Sequence, residues 1–422
     1  MKRMILLALA GLSGCAIYHS APLPDTAPVA PPMPTTQPLT LAQLAVLAVQ
    51  RDPDLAAARA QAGIAQAELL TAGTPPDPSL SIGFEALLGG PASMSSIAGS
   101  LVEDISPLIT RSADVNAAKA HLLQVNAGIL WQEWQVAGRA EQLGVTLSGE
   151  AAQLASLLND TQALTRLDQK VMAQTAAGNL TQQDESATQI ALATTRAALD
   201  SEEQAQARDE AQLDALLALP PGTPIALTPP DVAAVPARLQ QALATLPQRR
   251  PDLLAMRYGY SEADEKLRAA IRSQFLPISL GAQGGRDTSG VTSAGPQISL
   301  SLPLFNRNRP AIQTGEATRA ALRAQYAASL VDARNGAEAL EQSIVLLQTQ
   351  SAQADQAAAQ AASIAEGARR TFAAGGLDAR AETDLITAAG DREREAIQLR
   401  TQLQTAQLSL AVLLGLGLPV HS

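Results

Sequence analysis

A single thiol is present in this chain of 422 residues, Cys15, at the end of a short apolar run. One cysteine cannot form an intramolecular disulfide, which leaves acylation as its natural use. The three histidines, His19, His121 and His421, are too scattered for a metal cluster or a Ser-His-Asp arrangement, and no Gly-rich loop has phosphate-binding spacing. What remains are charges that follow two glycine turns. Asp184 lies just beyond Gly178, and Asp378, Glu382 and Asp384 lie just beyond Gly375-Gly376, with Arg369, Arg370 and Arg380 beside them. Such groups either merely solvate a helix end or hold helices closed through ion pairs, each contributing at most about 1 kcal/mol when exposed, so closure would need several acting together. Trp131 and Trp134, and Tyr258 and Tyr260, read as packing residues.

The elements that position these groups start with an N-terminal export signal. Lys2 and Arg3 precede an apolar stretch from Met4 to Leu12, and Leu12-Ser-Gly-Cys15 closes it. This resembles the lipobox of bacterial lipoproteins and implies cleavage after residue 14 and lipid on Cys15. Ala16 in place of an aspartate implies the outer membrane. Residues 15–38 form a proline-rich tether, and a second proline-rich segment, 219–236, links two halves. No other stretch reaches the roughly 20 apolar residues of a membrane helix, so a membrane span would have to be made of strands.

The halves are copies. Arg51-Asp-Pro-Asp-Leu55 returns as Arg249-Arg-Pro-Asp-Leu253, Ser81-Ile-Gly83 as Ser279-Leu-Gly281, Pro107-Leu-Ile109 as Pro303-Leu-Phe305, and Ala177-Gly-Asn-Leu180 as Ala374-Gly-Gly-Leu377, at offsets of 196 to 198 residues. We divide the chain into a first repeat, 39–218, and a second, 237–416. Strands are expected at about 78–107 and 275–304, and helical hairpins at about 112–218 and 308–414. In the strand regions Leu80, Ile82 and Phe84 alternate with Ser79, Ser81 and Gly83, and Ile298 and Leu300 alternate with Gln297, Ser299 and Ser301. Alternation alone suits a half-buried sheet in a soluble domain equally well, and the lipid anchor and serine-rich faces favour a water-filled barrel; four strands cannot close one in lipid, so the barrel reading demands an oligomer.

From Ser112 to Thr175 no proline occurs, and Leu122, Ile129, Val136, Leu143, Leu157, Leu164 and Val171 follow a seven-residue ladder broken by Glu150. That ladder predicts coiled-coil packing along a helix of about 95 Å. Shorter helices, about 53–72 and 251–273, should stack end to end with the returning helices so that each long helix is matched by two short ones. Ser112 and Asn308 are expected N-caps, and Pro107 and Pro303 strand ends. A composition 46% hydrophobic but 2% aromatic suits long, close-packed helices, and a net charge of −10 without a basic cluster argues against nucleic acid.

Taken with Gly295-Pro-Gln-Ile-Ser-Leu-Ser-Leu-Pro-Leu-Phe305 and Phe275-Leu-Pro277, this order of elements resembles the TolC family of outer-membrane efflux factors, over about residues 39–416. The resemblance implies a mainly α protein with membrane β: a homotrimer whose twelve-stranded outer-membrane β-barrel continues into a long periplasmic α-helical barrel. It further implies a channel and not an enzyme, docked to a periplasmic adaptor and an inner-membrane pump of the resistance-nodulation-division class. The host would be a Gram-negative bacterium. The charges beyond the glycine turns would then ring the periplasmic tip. The family often has a leucine-aspartate pair there, which Glu382-Thr-Asp384-Leu385 matches approximately. Aromatic residues near the strands are few, namely Phe84, Phe275 and Phe305. The competing reading is a lipid-anchored periplasmic coiled-coil adaptor or structural protein that never spans the membrane.

Overall fold

The computed structural model describes residues 18–23, 25–26, 37–89, 94–232, 239–275, 277–302 and 305–416; Cys15 and Pro303 lie outside them. The first repeat runs α1 (Leu41–Arg51), α2 (Pro53–Gly73), β1 (Ser79–Glu85), β2 (Ser96–Asp104), α3 (Ser106–Ala176) and α4 (Gln182–Leu216). The second runs α5 (Leu239–Arg249), α6 (Pro251–Arg272), β3 (Ile278–Arg286), β4 (Thr292–Leu300), α7 (Arg309–Ala373) and α8 (Ala379–Leu414). The duplication is therefore structural, element for element.

α7 packs along both α6 and α8, and α3 along both α2 and α4, as the two-for-one stacking requires. Each stack is joined by a short helix that the periodicity alone did not separate. α1 places Leu44 and Ala48 against Leu213 and Leu217 at the end of α4, and α5 places Leu239 and Leu246 against Leu410 and Leu414 at the end of α8. Two boundaries differ from expectation. α3 starts at Ser106, with Pro107 in its first turn, where its missing N–H is no loss, and with the Asp104 carboxylate accepting from the Ser106 N–H at 2.9 Å. Ser112 is thus interior to α3 and accepts a hydrogen bond from Arg272. Asn308 does precede α7, but in a left-handed conformation, with its amide donating to the Ala270 carbonyl at 2.8 Å instead of capping.

Trp131 and Trp134 lock the repeats together. The Arg250 guanidinium lies 4.8 Å from the Trp131 ring centre and pairs with Asp252, and the Trp134 indole donates to the Val412 carbonyl at 2.9 Å.

On the ladder, Leu143 packs with Leu213 of α4 and with Leu217 just past its end, and Leu164 and Val171 with Leu192. Across to α8 the period changes. Gly138 meets Val412, Gly149 meets Thr401, and Asp160 meets Gly390; a side chain on any of the three glycines would collide with the partner named. Val171 and Ala379, both fully buried, follow in one apolar cluster. The contacts recur every eleven residues on both antiparallel helices, or 3.67 residues per turn. A seven-residue seam coils left-handed and an eleven-residue seam right-handed, so the two faces of α3 favour opposite senses of supercoil.

Candidate functional site

The four strands form one antiparallel sheet in the order β1-β2-β3-β4, so the copies are joined edge to edge through β2 and β3. Its register fixes what each face carries. Leu80 pairs with Leu101, Leu101 with Ala282, Leu280 with Ile298, and Ile278 with Leu300, all on one face. That face is bare: Leu80, Ile82, Phe84 and Ile298 are each 67–71% exposed. Its two charged residues sit near its ends, Glu103 opposite Leu280 on the helix side and Arg286 opposite Ile97 at the far side. The six steps from Leu280 to Arg286 span about 20 Å at 3.3 Å each. The opposite face is polar, with Ser81 and Ser100 sharing a hydrogen bond of 2.7 Å and Ser96 donating to Glu85 at 3.1 Å. Among the described residues neither outer edge, β1 nor β4, has a partner strand. A sheet apolar on one side, polar on the other and open at both edges among the described residues has the pattern expected of a barrel segment.

At the other end of the helices the chain reverses at Gly178 and Gly375, with φ of +80° and +77°, values that favour glycine. The charges beyond these turns have separate tasks. Asp184 forms a capping box with Thr181, accepting from its hydroxyl at 2.6 Å and from its N–H at 3.0 Å. Those bonds hold its carboxyl below the usual range, with a smaller contribution from Arg380 of the other repeat. Asp378 is the N-cap of α8 and accepts from the Ala381 N–H at 2.6 Å. Glu382, grouped with these by sequence, is 6% exposed, and its Oε2 has no hydrogen-bond partner among the described residues. Burial pushes its carboxyl above the usual range, against the charges of Lys170 and Arg369. Next to it Thr188 and Thr383, one from each repeat, hydrogen-bond at 3.2 Å. Asp384 is exposed, as are Arg369, Arg370 and Arg380.

Among the described residues no ion pair joins these arginines to the four carboxylates. Arg369 pairs with Glu366 at 3.4 Å, and Arg370 donates to the Glu366 carbonyl. The expected closing pairs are not made within a protomer because two of the carboxylates cap their own helices and a third is buried. Sequence reasoning missed a better-formed pair further from the tip. Arg394 of α8 bonds to Asp160 of α3 at 2.6 Å, with the side chains 19% and 14% exposed, and Ser156 donates to Glu393 beside them at 3.1 Å. Glu150, which breaks the ladder, lies next to Asp209, and burial followed by that neighbour pushes it up to about 8. His121 stands 3.1 Å from Glu262.

No curated protein matches the sequence. Residues 230–416 match the family model of outer membrane efflux proteins. Solved structures match nearly the whole chain. The outer membrane protein VceC from Vibrio cholerae is 19% identical, with a TM-score of 0.74 over 89% of this chain and 96% of that one. The outer-membrane channel OprN is 17% identical, with a TM-score of 0.76 over 96% of this chain and 99% of that one. The Campylobacter jejuni CmeC outer membrane channel is 12% identical, with a TM-score of 0.74 over 96% and 95%. At these identities the likeness is one of fold. The second repeat thus carries the sequence of the outer membrane efflux protein family, and the chain as a whole carries the fold of outer-membrane channels.

Proposed function

We propose that the protein is the exit duct of a tripartite efflux system, anchored by lipid on Cys15 in the outer membrane. Three copies close their twelve strands into one barrel and their helices into a periplasmic tunnel. Through it drugs, metal ions or other small solutes pass without energy input from a periplasmic adaptor and an inner-membrane pump of the resistance-nodulation-division class. The observation that carries this reading is the four-stranded sheet, whose apolar face has no cover and whose two edges have no partner among the described residues. A lipid-anchored adaptor that stays in the periplasm would leave that face in water, which favours the channel over the competing reading. Asp384 and Arg380, both exposed, are the tip groups best placed to act between copies, with the half-buried Asp184 beside Arg380. The test is native mass spectrometry in detergent together with conductance of the purified protein in planar bilayers. A trimer with stable unitary conductance is expected; a monomer without conductance would return the protein to the adaptor class.

A further inference from the structure

The junction between sheet and helices carries residues that neither the wall nor the tip uses. The Ile105 N–H donates to the Ile278 carbonyl at 3.0 Å, the Ser301 N–H to the Pro277 carbonyl at 3.1 Å, and the Asn308 amide to the Ala270 carbonyl. These bonds hold the helix-side ends of the strands, the starts of α3 and α7 and the end of α6 at one level. Within two helical turns of that level lie Arg111, Arg272, Arg307 and Arg309. None makes an ion pair among the described residues: Arg111 donates to the Gly73 carbonyl and Arg272 to Ser112. The side chains of Arg307 and Arg309 make no hydrogen bond there. Acids at this level include Asp104, which is engaged by Ser106, and Asp114, three residues beyond Arg111 in α3. At the same level Phe275 and Phe305 are 69% and 99% exposed.

The backbone at this level is also fixed. Arg307 and Asn308 are consecutive non-glycine residues with φ of +44° and +58°. The Arg309 N–H donates to the Asn306 carbonyl at 2.9 Å and the Asn308 N–H to the Asn306 side chain at 3.1 Å, so the two residues form the corners of a tight turn on which Arg307 is exposed.

We propose that this collar binds the phosphodiester groups of anionic phospholipids in the leaflet facing the helical tunnel, with Phe275 and Phe305 seated among the adjoining acyl chains. The inference rests on reading the sheet as a membrane wall. Charge complementarity and continuity with the bare apolar face identify the occupant. Guanidinium forks match phosphate oxygens, and aromatic rings settle where one side is apolar and the other wet. Phe84, at the far end of β1, marks the opposite rim.

The experiment uses the full protein in vesicles containing phosphatidylcholine or phosphatidylglycerol with brominated acyl chains, and the variants Phe275→Trp, Phe305→Trp and Leu101→Trp. Native Trp131 and Trp134 lie about 38 Å down α3 and provide an unquenched baseline. Both collar tryptophans should lose more than half of their added fluorescence to brominated lipid. Phosphatidylglycerol should be preferred at least threefold, and Arg307→Gln with Arg309→Gln should reduce that preference to unity in channels that still conduct. If Leu101→Trp is quenched but the collar tryptophans are not, or if the preference survives loss of both arginines, the collar proposal is wrong and the membrane wall stands. If Leu101→Trp is also unquenched and no conductance appears, the wall reading has failed. Loss of the preference on adding millimolar inorganic phosphate would make free phosphate the ligand and overturn the lipid assignment.

Discussion

Adding one methyl group at chosen glycines should change stability in opposite directions depending on the face of the helix. In an open helix interior, glycine to alanine gains about 1 kcal/mol. Gly63 and Gly128 have nothing within 4 Å of an added Cβ, so alanine there should raise the unfolding midpoint. At Gly138 the methyl would come within 2.5 Å of a Val412 methyl, and overpacking of that kind costs about 1–3 kcal/mol, which cancels or outweighs the propensity gain. Gly390→Ala should be the most damaging, because the methyl would collide with the Asp160 carboxylate, which is fixed by Arg394 at 2.6 Å. Breaking a fully buried pair costs about 3–5 kcal/mol. With 14% and 19% of the side chains exposed, we expect a net loss of about 2 kcal/mol after the helix gain. Heating the detergent-solubilised proteins while following circular dichroism at 222 nm gives the order, with native mass confirming assembly. A Gly390→Ala midpoint at or above that of Gly128→Ala would refute the close-packed seam.

Three further outcomes follow from the same structure. Leu80 shares a row with Leu101 and Ala282 at the middle of the sheet, so Leu80→Arg should destabilise by about 2–4 kcal/mol, while Leu300→Arg, at the helix-side end opposite Ile278, should cost at most about 1 kcal/mol. Ser81→Arg, on the polar face, should be tolerated, and equal damage at Leu80 and Ser81 in a folding assay would contradict the two-faced wall. Glu150 holds a proton up to about pH 8 when folded but only to about 4.5 when unfolded, so its contribution to stability is present at low pH and lost as pH rises between those values. Glu150→Gln should flatten that decline in pH-dependent unfolding, and an unchanged slope would remove Glu150 as its source. At the tip, alanine at Asp378, Glu382 and Asp384 together should raise conductance or weaken cation selectivity in planar bilayers; if neither moves, these charges only cap and solvate helix ends.

Much of the wall was legible in the sequence because strand alternation has a period of two and is repeated at a fixed offset. Ser81 and Leu80 therefore declare opposite faces without help from the fold. The turns at Gly178 and Gly375 were legible for the same reason. The start of α3 was not, because Pro107 suits both a strand end and a first helical turn, and the deciding contact, Asp104 to Ser106, is local polar chemistry. At the tip, Thr181 and Asp184 show the spacing of a capping box, a signal that was available. Burial of Glu382 was not visible, since its surroundings include the first repeat, about 200 residues away in sequence. The eleven-residue seam escaped for a related reason. Three of its contact residues are glycines, which leave no mark in a hydrophobic pattern, and every partner lies on a helix from the other repeat.

That seam also acts as a ruler. Each contact interval covers three helical turns and about 16.5 Å of rise. An insertion of eleven residues in α3, matched by eleven in α8 and accommodated in α4 and α7, would lengthen the helical region by one interval and return every side chain to its original bearing. An insertion of four residues would rotate Gly149 away from Thr401 and Asp160 away from Arg394. On the proposed reading as an efflux duct, the reach of the helices is thus quantised by their packing, and lineages with a longer duct would be expected to differ in length by whole intervals.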